Sequence, residues 1–151
     1  MRTSGMERGD RPRLPVLGAA ILRAGGVALT AAMGLIHLWL WLQGYREVPV
    51  IGTLFMINAI CAAALVVALL AAPARLRSLV AAVAALFTAG TLGGLVLSLT
   101  VGLFGVHESL QTPFVPLTLV VEAAGVVMLT LTAMLGMARK APVRQAPVRQ
   151  T

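Results

Sequence analysis

Four apolar runs, at about residues 24–43, 50–72, 79–104 and 114–137, are separated by short polar connections, and this spacing constrains the chain more than any other feature. Each run meets or exceeds the ~20 residues with which an α-helix crosses a hydrocarbon core ~30 Å thick. Backbone groups in lipid have to be satisfied within the segment, so such runs fold as helices rather than as open strands. The composition agrees: 59% of residues are hydrophobic and 11% charged, where a soluble globule carries about a quarter charged residues. Connections as short as 44–49 and 73–78 make successive helices antiparallel neighbours. The sequence therefore predicts an all-α fold, an integral membrane antiparallel four-helix bundle.

Residues 1–15 are polar, basic and rich in Gly and Pro, and are expected to form a disordered tail because they bury too little apolar surface to offset ordering entropy. Residues 139–151 repeat the pentapeptide APVRQ, at 141–145 and 146–150, and read as an extended low-complexity tail. The membrane domain is then 16–138. Arg23 interrupts the first run, and a helix starting near Val16 would let it snorkel to the interface. A cleaved signal peptide would have an apolar stretch of only ~7–15 residues and a small-residue cleavage site, whereas this run ends in WLWLQGYRE. The first run is read as a retained span.

Orientation follows from the basic residues. Eleven of the twelve fall on one side: Arg2, Arg8, Arg11, Arg13 and Arg23, then Arg75 and Arg77, then Arg139, Lys140, Arg144 and Arg149. Only Arg46 lies opposite. Under the positive-inside rule both termini are cytoplasmic in a cell-membrane protein, and the 44–49 and 105–113 connections face outward. The net charge of +7 is thus an orienting charge, and no nucleic-acid partner is expected. The tail cations should favour anionic lipids at the cytoplasmic face, each by up to ~1 kcal/mol. Trp39, Trp41 and Tyr45 cluster where the first span meets the outer surface, as an interfacial aromatic belt does.

Counted from the outer ends of the spans, His37 lies ~9 Å deep, and Asn58 and Glu122 ~12 Å. Polar side chains at such depths turn away from lipid, so these three are expected to form one inward-facing cluster, capped by Arg46, Glu47, His107 and Glu108 from the outer loops. A structural reading stands beside the functional one for each: an interhelical hydrogen bond for Asn58, a bond to Glu122 or a backbone carbonyl for His37, a buried hydrogen-bonding group for Glu122. Imidazole and carboxylate together suit zinc or iron. However, no HxxxH or ExxH pair shares a helix, so neither a metal nor any other cofactor is predicted. A haem held by His37 and His107 is disfavoured, since one should be buried and the other at the surface. Cys61, the single cysteine, reads as a small buried hydrophobe. No GxSxG, GxxxxGK[ST] or strand-borne GxGxxG is present, so no catalytic residue is assigned.

In the third run Gly90, Gly94, Ser98 and Gly102 recur every four residues, a face on which another backbone could approach closely. It reads as the main packing seam. In the fourth run Thr118, Glu122, Gly125, Thr132 and Gly136 share a face.

The segment HLWLWLQGYREVPVIGTLFMIN, followed by GVHESLQTPFVP and a span with a central glutamate, resembles uncharacterised small four-span integral membrane proteins of high-G+C actinobacteria. The resemblance covers 24–138 and implies fold and membrane location only. Two functions are then expected of the chain. The first is a non-enzymatic accessory or scaffold subunit, packing through its glycine-lined face with another membrane protein or with further copies of itself. The alternative is a binding or transport protein whose His37, Asn58 and Glu122 cluster serves a lipophilic ligand such as a quinone, or a proton or cation.

Overall fold

The computed structural model describes residues 14–138; of the tails expected to be disordered, 1–15 and 139–151, all but Leu14 and Pro15 lie outside the described residues, and those two begin the first helix. Four helices account for most of the described chain: α1 (Leu14–Leu42), α2 (Ile51–Ala71), α3 (Arg77–Thr100) and α4 (Val115–Ala138), with one 3₁₀ turn at Tyr45–Glu47. All four are long and apolar enough to cross a membrane, and only 17–22% of each span is buried within the protein. What the rest presents outward is Leu35, Ile60, Val83, Val120 and similar side chains. An apolar surface of that extent belongs in lipid. The chain is an all-α, multi-pass integral membrane protein.

Three of the four lateral contacts are broad. α1 packs on α2, α1 on α4 and α3 on α4, whereas α2 and α3 touch little. Small residues set the close approaches. A Cβ on Gly34 of α1 would stand 2.7 Å from the Cβ of Ala62 in α2, and one on Gly136 of α4 would stand 2.9 Å from the Cβ of Ser78 in α3. Leu69 of α2, Ala81, Ala84 and Ala85 of α3, and Leu129 and Ala133 of α4 form one core cluster, joined by Leu65 and Val27. It lies toward the end of the bundle that carries the α2–α3 turn. Two arginines finish that end: Arg23 Nη2 donates to the Leu69 and Leu70 carbonyls at 2.8 and 3.0 Å, and Arg77 Nε to the Ala72 carbonyl at 3.3 Å. Arg23, expected only to snorkel, thus satisfies carbonyls that the end of α2 leaves free.

The glycine stripe of α3 is not the seam within the chain. A Cβ on Gly90 or Gly93 would meet nothing within 4 Å among the described residues, and one on Gly94 only Leu103, at 3.8 Å. The α3–α4 contact uses the neighbouring face, where Thr88 approaches Gly125. Ser98 is a fastener for the following loop, its hydroxyl donating to the Val106 carbonyl at 3.1 Å and its carbonyl accepting from Glu108 N at 3.2 Å.

α3 also stops at Thr100, four residues short of the expected 104. Leu103 and Val106 exchange backbone hydrogen bonds at 2.9 Å, which closes a two-residue turn with Phe104 at φ 50° and Gly105 at φ 81°. Positive φ at both central positions defines the type I′ turn, which glycine makes without a Cβ penalty. At the start of α2, Ile51 N donates to the Pro49 carbonyl at 2.8 Å around Val50, held at φ 66° and ψ −55°. A γ-turn with positive central φ is rare, and a β-branched residue there is strained.

Candidate functional site

Because α2 and α3 diverge from their connecting turn toward the opposite end, a cavity of about 400 Å³ opens between them, backed by α1 and α4. Its walls are Leu54, Phe55, Leu86, Phe87 and Leu95 with other apolar side chains, and its polar lining includes His37, Asn58, Thr91 and Glu122. The loop after α3 covers the far end through Leu103, Val106 and Glu108, and Tyr45 reaches in from the 3₁₀ turn. His37, Asn58 and Glu122 therefore line one cavity, from three different helices.

Their burial is deep: Glu122 is 0% exposed, Asn58 6% and His37 8%. Buried threonine hydroxyls in the spans are answered by their own helices. Thr30, Thr88 and Thr118 each donate to the carbonyl four residues earlier, at 2.8–2.9 Å. Glu122 and Asn58 are not so answered. Both carboxyl oxygens of Glu122 and Oδ1 of Asn58 are buried without a hydrogen-bond partner among the described residues. The Thr91 hydroxyl, a neighbouring donor that a turn of its side chain would aim at Glu122, donates instead to the Thr88 carbonyl at 2.8 Å.

His37 is fixed from one side only. Its Nδ1 lies 2.9 Å from the Met33 carbonyl, so that nitrogen carries the proton, and in the neutral ring Nε2 is left with its lone pair. Nε2 stands 3.9 Å from Glu122 Oε1, beyond hydrogen-bond reach. Phe55 meets the imidazole edge-on at 5.0 Å and stacks on Tyr45 at 4.9 Å. The cavity's polar end thus presents unanswered acceptors, two carboxyl oxygens, an amide oxygen and, in the neutral ring, an imidazole nitrogen, beside the N–H groups of the Asn58 amide.

At the other end, Tyr45 Oη donates to Glu108 Oε1 at 2.7 Å, tying the 3₁₀ turn to the α3–α4 loop across 63 residues. Tyr45 is held there by its neighbours, since a Cβ on Gly52 of α2 would lie 2.6 Å from the Tyr45 carbonyl oxygen. Burial, then the hydrogen bond and charge of Glu108, push the Tyr45 phenol up to about 12 from 10. A folded value above the unfolded one means that the tie is fully present below pH ~10 and is lost as the pH rises through about 12. Tyr45 is the only tyrosine, so an absorbance titration at alkaline pH reads it directly. Its midpoint is expected well above 10, and Glu108→Gln should bring it part of the way down. An unchanged midpoint in that variant would show that Tyr45 and Glu108 are not joined.

The other expected capping groups stay outside. Arg46 and Glu47 are exposed and face each other at 3.8 Å, and neither lines the cavity. His107 is exposed, and its ring packs over Gly102, where an added Cβ would collide with it. Among the described residues no three His, Cys, Asp or Glu side chains converge as a metal site would require. Trp39 is exposed and lies against Phe114 at 4.2 Å, while Tyr45 turns inward.

Phe55 and Thr91 belong to the lining and are not singled out by the sequence, and Tyr45 is read from the sequence only as part of the interfacial belt. Phe55 stands three residues before Asn58 on the same helical face, a signal that was available. Thr91 lies ~13 Å from the true end of α3, level with the cluster, but counting from the expected end at 104 placed it much deeper. Compared with protein families, with curated proteins and with solved structures, the chain matches none.

Proposed function

We propose that this membrane protein binds a lipophilic small molecule in the cavity between α2 and α3, with the polar part of the ligand on Glu122, Asn58 and His37. The observation that carries the reading is the set of three buried oxygens without partners among the described residues, on Glu122 and Asn58, in a mainly apolar cavity. Leaving such groups unanswered costs ~1–3 kcal/mol each, and protein interiors seldom keep them. A volume of about 400 Å³ lies within the range of small-molecule sites. With the arginine-bearing ends on the cytoplasmic side, the cavity sits in the outer half of a cell membrane, and the spread of α2 from α3 gives a lateral way in from lipid.

The test is extraction of the protein, purified from its native membrane in mild detergent, followed by mass spectrometry of what is released. An organic molecule at near-stoichiometric amount is expected from the wild type. Gly90→Trp, which fills the cavity from a position with no neighbour, should lack it while keeping its helical circular dichroism. Equal recovery from both proteins would sink the reading. An accessory or scaffold role has its own support in the same opening, because Gly90 and Gly93 are uncovered and a partner helix could lie on them. That role requires a polypeptide, not a small molecule, to be crosslinked through cysteines placed at Gly90 or Gly93.

A further inference from the structure

The ionisable side chains lining the cavity are Glu122, Glu108, His37 and Tyr45, with no lysine or arginine among them. The chain at large is the reverse, with twelve Lys and Arg against five Asp and Glu. Two of those five acidic residues face one sheltered space that the basic residues avoid. A buried carboxylate needs both donors and an opposing charge. The protein supplies neither in full. Among the described residues Glu122 accepts no hydrogen bond, because the Thr91 hydroxyl beside it donates to the Thr88 carbonyl, and the one group that could oppose its charge, His37, commits Nδ1–H to the Met33 carbonyl and holds Nε2 at 3.9 Å. Even an imidazolium would leave Glu122 Oε2 and Asn58 Oδ1 unanswered.

From this lining we infer that the ligand is an organic cation, a protonated amine on an apolar body, whose N–H groups reach Glu122 and Asn58 while its body lies along Phe55, Leu86 and Phe87. The inference rests on the small-molecule reading of the cavity given above and specifies its substrate class. N–H···carboxylate bonds are charge-assisted and stronger than neutral ones, so the amine gains more here than a neutral donor such as a hydroquinone. Glu108 at the rim adds attraction on the way in, and its tie to Tyr45 places that charge over the cavity.

The experiment uses two probes with the same body: monodansylcadaverine, a primary amine, and its N-acetyl derivative, which lacks the charge. Each is titrated by fluorescence at pH 8 into the full-length protein in phosphatidylcholine nanodiscs, with empty nanodiscs subtracted. The amine is expected to bind about ten- to a hundredfold more tightly than its acetylated twin. Glu122→Gln should remove most of that ratio, and Gly90→Trp should abolish binding of both. Equal binding of the twins to wild type overturns the cation inference and leaves the cavity standing as a neutral-ligand site. Binding of neither overturns both readings. Since the comparison of the twins is made on the wild-type protein, it holds even if a variant does not fold.

Discussion

Glu122→Leu is expected to make the empty protein more stable and to eliminate its preference for a cationic ligand. The carboxyl is 0% exposed, and neither of its oxygens has a partner among the described residues. An unanswered buried polar group costs ~1–3 kcal/mol, and replacing it by an apolar group of similar shape returns that cost. For buried charged groups the gain on apolar replacement reaches ~1–4 kcal/mol. Leucine fits the lining, which already includes Leu54, Leu86 and Leu95. The thermal midpoint of the detergent-solubilised variant should therefore rise, while the amine probe no longer distinguishes itself from its acetylated twin. A buried group that the fold needed for itself would behave in the opposite way. A fall in the midpoint would show that Glu122 is satisfied within the bundle, and the case for a ligand would go with it.

The sequence made much of this visible, and what it hid has physical reasons. Span number, helix class and the convergence of His37, Asn58 and Glu122 followed from run length and depth, because the bilayer fixes how far each residue lies from a helix end. Which helices touch did not follow. Lipid is as apolar as leucine, so a face on a neighbouring helix and a face on lipid carry the same residues, and the gap between α2 and α3 left no mark in the hydropathy. The end of α3 was overrun because 101–104 is as apolar as the helix before it; the stop comes from the turn at Phe104 and Gly105. Tyr45 looked like part of an interfacial belt because nothing in the sequence near it signals a partner 63 residues away.

Two glycines show the same limit and permit a sharp comparison. By sequence, Gly34 and Gly90 are alike, each a small residue within an apolar helix. In the fold, Gly34 is buried at the α1–α2 crossing, where a Cβ would lie 2.7 Å from the Ala62 Cβ and 3.7 Å from the Ala59 carbonyl oxygen. Neither contact is the end of a flexible side chain, so the helices have to separate. Gly34→Leu is expected to destabilise by the ~1–3 kcal/mol typical of overpacking, partly offset by the better helix propensity of leucine. The displacement also reaches the site, since His37 lies three residues beyond Gly34 and Asn58 is next to Ala59. Binding of the amine probe should weaken together with stability. A Cβ at Gly90 meets no neighbour within 4 Å, so Gly90→Leu, which gains helix propensity of ~1 kcal/mol, should leave stability unchanged or raised while filling part of the cavity. Equilibrium unfolding of both variants in mixed micelles, beside probe titration, separates the two effects. If Gly34→Leu proves no less stable than Gly90→Leu, then the close crossing of α1 and α2 is not what holds His37 and Asn58 against the cavity.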